Sequence, residues 1–130
     1  MKSPFVMQRV HTAIFLEKKR VINELKELTR AKTIKHLMEI IPLWDKYATT
    51  TAPGNFPILS DKECERVYDE LGMQGGWTRI KIGATLKKFS WKYGQLKYVL
   101  EMEKAHDEAW KLIPFFGHEG SGYQPEAPNP

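Results

Sequence analysis

The sequence predicts an all-α protein: a long N-terminal helical arm, able to kink, followed by a C-terminal helical bundle. Three observations predict it. Apolar residues from Met7 to Leu28 recur at heptad-like spacing, a helical period and not the alternation of a strand. Helix-start signals stand at Ser3-Pro4 and in the capping box Ser60-Asp61-Lys62-Glu63. A chain of 130 residues, 42% hydrophobic, suits one domain with its own core and no disulfide or metal staples. The expected organisation is an arm over residues 1–48, a linker over 49–59, a bundle over 60–116 and an extended tail over 117–130.

Ser3 and Pro4 open a first helix expected over 4–30. Met7, Val10, Ile14, Val21, Leu25 and Leu28 form its apolar stripe, widened by Phe15 and Ile22. Lys19, Lys26 and Arg30 share another face, with Gln8 and Thr12 above them. At 1.5 Å per residue such a helix is roughly 40 Å long, more than a single-domain core requires. A second helix is expected over 33–48, kinked or divided at Pro42. Its apolar side would hold Ile34, Leu37, Met38, Ile41, Leu43 and Trp44. "TTTAPGNFPIL" reads as an extended connection.

The capping box opens a short helix that buries Cys64, Val67, Tyr68 and Leu71 and ends at Gly72. "MQGG" is a turn. A helix over 78–93 then has three faces: Ile82, Leu86, Phe89 and Tyr93; Ile80, Ala84 and Trp91; and Lys81, Thr85, Lys88 and Lys92. Two apolar faces predict packing on two sides, which turns the lysines outward because unpaired lysines are not buried. Gly83 costs helix propensity, about 1 kcal/mol, and would admit another backbone. Gly94 is read as a break. A last helix over about 95–113 would bury Val99, Met102, His106, Ala109, Trp110 and Ile113, and Pro114 would end it. The remainder, with Phe115, Phe116 and Tyr123, is read as an extended tail that packs on a neighbouring molecule or stays loose.

Charge is distributed in blocks. Residues 1–36 carry nine basic and three acidic groups, and residues 77–97 carry six basic and none acidic. Residues 37–76 have three and seven, and residues 98–130 two and six. Particular surfaces, rather than the whole molecule, are therefore built to attract an anion.

Catalysis is not expected. Cys64 lies between Glu63 and Glu65, which disfavour a thiolate, so it reads as a core cysteine. His11, His36, His106 and His118 show no metal-ligand spacing. "GMQGG" and "GHEGSG" lack the setting and the Lys-Ser/Thr ending of a phosphate loop. The pairs Glu101/Glu103 and Asp107/Glu108 read as solvated charge. No enzyme activity, cofactor or metal is expected. Neither a signal peptide nor a membrane-spanning helix is expected, and with Cys64 the only cysteine, so that no internal disulfide can form, intracellular synthesis is the default expectation. A basic helix with two moderate apolar faces suits a protein core better than a membrane surface.

The expected partner is double-stranded DNA. Lys81, Thr85, Lys88 and Lys92 would span about 16 Å of helix, a run of backbone phosphates. Lysine and threonine do not read bases well, so binding would be electrostatic and indifferent to sequence. The DNA-contacting set is Arg9, Lys18, Lys19, Arg20, Lys26 and Arg30 from the arm, and Arg79, Lys81, Thr85, Lys88 and Lys92 from the bundle. Val10, Ile14, Val21, Leu25 and Leu28 would pack against a partner's arm. Two alternatives stand beside this: a helical protein-interaction module, and a helix-turn-helix regulator drawn on "CERVYDELGMQGGWTRIKIGATLKKF". For the regulator, Gly75-Gly76 makes the turn long and lysines occupy base-reading positions.

The order of these segments resembles the major coat proteins of filamentous and rod-shaped archaeal double-stranded DNA viruses. The segments are the basic N-terminal helix, "TTTAPGNFPIL", the short helix ending "YDELGMQGGWTR", the Gly-containing basic helix "RIKIGATLKKF", another helix and an aromatic tail. The likeness covers most of the chain in order and character, without a strict motif. It implies a virion protein, made in the host cytoplasm, that pairs with itself or with a related coat protein. Such homodimers or heterodimers wrap linear DNA in A-form within a helical filament. N-terminal helices embrace the DNA, the bundle packs outward, and filamentous members can carry a lipid envelope. On that arrangement Glu17, Glu24 and Glu27 would face a partner subunit.

Overall fold

The computed structural model describes residues 4–50 and 59–111. They form four α-helices, with no strand among the described residues: α1 Pro4–Thr29, α2 Ile34–Thr50, α3 Asp61–Glu70 and α4 Arg79–Trp110. The all-α class is as expected, and so is the overlong first helix. The proposed tail, and residues 51–58 of the expected linker, lie outside the described residues.

The chain divides into two compact units, cut differently from an arm and a bundle. One takes residues up to Arg20 and from Leu96 onward; the other is Val21–Gln95. The end of α1 and all of α2 thus share a unit with α3 and the start of α4. In that unit Val21, Leu25, Leu37, Trp44, Cys64, Val67, Ile82, Leu86 and Phe89 make the core. Trp44 and Phe89 lie 5.5 Å apart between ring centroids, and Phe89 stacks on Tyr93 at the same distance. In the other unit, α1 and α4 run antiparallel. His11 meets His106 at 5.7 Å, and Ile14, Leu96, Val99 and Trp110 are buried.

Local chemistry accounts for the helix ends. Thr33 caps α2 by accepting from His36 N at 2.9 Å. The capping box of α3 forms in full: Ser60 Oγ accepts from Glu63 N at 3.1 Å, and Glu63 Oε1 accepts from Ser60 N at 2.9 Å. Thr78 Oγ1 caps α4 by accepting from Lys81 N at 3.0 Å. Gly72, Gly75 and Gly76 all have positive φ in the turn before α4, which only glycine adopts at little cost.

Four expectations are corrected. Pro42 does not divide α2, which runs on to Thr50. Ile34 and Met38, assigned to its buried side, are exposed. Gly94 does not break α4, which continues through it to Trp110; the expected end near residue 113 lies outside the described residues. Met102 and Ala109, expected inside, are exposed. The buried positions of α4 explain its continuity. Ile82, Phe89, Leu96 and Trp110 fall seven or fourteen residues apart, as do Val99 and His106 with the half-buried Thr85 and Lys92. That is a heptad seam, and it continues on both sides of Gly94.

Candidate polyanion-binding surface

The cations expected to contact phosphate fall into two groups. In the first, the charge is already compensated within the chain. Lys18 pairs with Glu103 at 2.6 Å and Lys92 with Glu24 at 2.8 Å, both partly buried. Arg20 pairs with Glu17 one helical turn away, at 2.6 Å. Arg79 joins the starts of α3 and α4. Its Nη2 bonds Asp61 at 2.6 Å, and its Nη1 donates to Leu59 O and approaches Cys64 Sγ at 3.4 Å. Lys81 folds back on the glycine turn. Its Nζ donates to Gln74 O and to Gly76 O, and it lies 5.5 Å from the centroid of the Tyr68 ring. Thr85 spends its hydroxyl on Lys81 O at 2.7 Å. Arg9 is exposed near the start of α1 and has an interaction within the chain.

The predicted outward face Lys81–Thr85–Lys88–Lys92 is therefore corrected. Among its lysines only Lys88 is exposed; Lys81, Thr85 and Lys92 are half-buried. The cause is Glu24. With a carboxylate across the seam, the Lys92 stem can lie along apolar surface while its head is paired. The face left outside is the apolar one: Ile80 is 85% exposed and Trp91 71%. Phe15, counted with the apolar stripe of α1, is exposed as well.

The second group is uncompensated. Lys19, Lys26, Arg30 and Lys88 make no ion pair with any described residue, and all but the half-buried Lys26 are exposed. Lys19 belongs to one unit and the other three to Val21–Gln95. On α1 the three glutamates lie away from the wheel position of Lys19 and Lys26. Glu17 and Glu24 are occupied by Arg20 and Lys92 of this same chain, so neither needs a partner subunit.

The stripe expected to meet a partner's arm is largely covered from within. Ile14, Val21 and Leu25 are buried in the single chain, and Val10 and Leu28 are half-buried. Sequence reasoning missed Lys87, which is exposed and stands one turn before Trp91. Its signal was available: on the wheel it falls with Ile80 and Trp91 and not with the other lysines.

Cys64 is buried, as expected of a core cysteine. No cluster of three or more candidate metal ligands occurs among the described residues, and no described helix is long and apolar enough to cross a membrane. Comparison with protein-family models, with curated proteins and with solved structures finds no match.

Proposed function

We propose that this chain is a structural virion protein, made in the host cytoplasm, that coats linear double-stranded DNA without sequence specificity, as dimers in a helical assembly. The observation that carries the reading is the set of unpaired cations Lys19, Lys26, Arg30 and Lys88. They remain without an ion pair to any described residue while Glu17 and Glu24 of the same helix are taken by Arg20 and Lys92, and they lie in the two strongly basic blocks of the sequence. Lysine beside a phosphate is a point charge, which positions a protein on a duplex without reading it. Each protomer offers few contacts, so one protomer binds weakly and an array gains by avidity.

The experiment is a mobility shift on random duplex at rising salt, with negative-stain microscopy of the same mixtures. A coat protein shifts all duplexes alike at low salt and forms uniform filaments. Absence of any shift at low salt removes DNA from the account. The resemblance allows a homodimer or a pair with a related coat protein, and mixing with the second chain would distinguish them.

A second reading, a helical protein-interaction module, is favoured by the exposed Ile80 and Trp91. Such a module would assemble without DNA and show no salt-dependent shift. A sequence-specific regulator has less support. Arg79 and Lys81, at the start of what would be its recognition helix, are engaged with α3 and the turn.

A further inference from the structure

Lys81 stands where a helix disfavours a cation. It is the third residue of α4, after the capping Thr78. The first turn of a helix carries partial positive charge and favours acids, yet this one holds Arg79 and Lys81 and no acid. Arg79 is offset by Asp61 at 2.6 Å. Lys81 makes no ion pair with any described residue.

Its head is nevertheless held. Side chains near a helix start lean back toward the N-terminus, which carries the Lys81 ammonium over the turn between α3 and α4. There it donates to Gln74 O and, at 3.4 Å, to Gly76 O. It stands over the Tyr68 ring, 5.5 Å from the centroid and within cation–π range. The turn is shaped to this arrangement. Gly76 N donates to the Tyr68 hydroxyl at 2.6 Å, which ties the ring to the turn. A Cβ on Gly75 would stand 2.8 Å from Lys81 Nζ, so a side chain there would push the ammonium out. Gly75 thus meets two demands, space for the cation and a φ of 92°. Every group named lies in the unit Val21–Gln95.

We propose that the α3–α4 turn is a binding site for a primary ammonium ion and that Lys81 is its tethered occupant. Neutral dipoles select the ligand: carbonyl oxygens accept its N–H bonds, and the face of the ring attracts its charge. A divalent cation would want carboxylates, and a guanidinium is too broad for the space beside Gly75. The site accounts for both oddities, a cation at a helix start without an acid and a glycine opposite it. Filled, it fixes the turn that sets α4 after α3; emptied, it frees that turn. Phosphate and the turn compete for the same ammonium, but the proposal needs no DNA and does not rest on the coat reading.

The test is nuclear magnetic resonance of the full chain without DNA. In the wild type the Lys81 ammonium should give a resolved nitrogen–proton signal under conditions where the exposed Lys62 and Lys88 give none. Tyr68→Leu should abolish it. In Lys81→Met the Gly76 amide should exchange about tenfold faster, with α4 beyond Phe89 unchanged. Ammonium chloride should restore most of that protection. Tetramethylammonium chloride at the same ionic strength should restore none, because that ion is larger and has no N–H donors. A Lys81 ammonium that exchanges as fast as those of Lys62 and Lys88 overturns the proposal, and this readout stands even if Lys81→Met does not fold. Unchanged Gly76 protection in Lys81→Met overturns it as well. Equal rescue by both salts would make the effect general screening, and rescue by neither would leave Lys81 a prop of the turn without a cation site; either result sinks the proposal.

Discussion

Arg30 closes α1 with φ of 65°, the left-handed position after a helix that glycine usually fills. A non-glycine residue there costs on the order of 1 kcal/mol, and Arg30 has no ion pair among the described residues to offset it. Arg30→Gly should therefore raise unfolding free energy by about 0.5–1 kcal/mol while weakening DNA binding. Urea denaturation and a mobility shift read the two effects separately, and a variant that gains stability with affinity unchanged would take Arg30 out of the binding set. Glu63 makes a second residue-level case. The Ser60 backbone N–H, and then the Ser60 hydroxyl, hold its carboxyl below the ordinary value. A depressed carboxyl contributes stability above its unfolded pKa and loses it as pH falls through the folded one. The first turn of α3 should thus lose hydrogen-exchange protection in acid below the ordinary carboxylate range, and Glu63→Gln should flatten that dependence. Tyr47 has the opposite sign, its phenol raised chiefly by donating a hydrogen bond to Glu70. That contribution is complete below the ordinary tyrosine value and fades as pH rises through the raised one.

At the scale of elements, most of the fold was legible because it rests on local rules. The capping box of α3, the start and length of α1 and the buried stripe Ile82–Leu86–Phe89 follow from spacing and capping chemistry. Gly94 misled because a helix penalty of about 1 kcal/mol is small beside a seam that buries Phe89 before it and Leu96 and Val99 after it. The direction of the lysine face was not legible for a different reason. Which of the three faces of α4 turns inward depends on Glu24, which lies 68 positions away in the sequence. The pair it makes with Lys92 is testable. The two side chains keep only 22% and 30% of their exposure, so removing one charge strands the other in a poorly solvated place. Lys92→Leu should destabilise the chain by about 1–2 kcal/mol, and Glu24→Leu combined with Lys92→Leu by less than either single change. Urea denaturation of the four proteins gives the coupling, and additive effects would show that the pair does not fix the seam.

For the whole molecule, the candidate surface was legible as a charge balance and not as a set of contacts. Blocks of like charge show where cations concentrate, but the sequence does not show which of them meet a carboxylate in the folded chain, because partners such as Lys18 and Glu103 are 85 positions apart. The two groups predict different behaviour on DNA. Each phosphate neutralised contributes about −0.9 to the slope of log affinity against log salt, so four unpaired cations imply a slope of about −3.6. Lys19→Gln with Lys26→Gln should bring it to about −1.8 and leave stability nearly unchanged, since neither side chain makes an ion pair with a described residue. Lys18→Gln should do the converse, costing stability through the stranded Glu103 while leaving the slope alone. If the Lys18 change lowers the slope and the double change does not, the ion pairs open on DNA and the paired lysines are the binding groups. The surface would then have to be redrawn around the seam between α1 and α4.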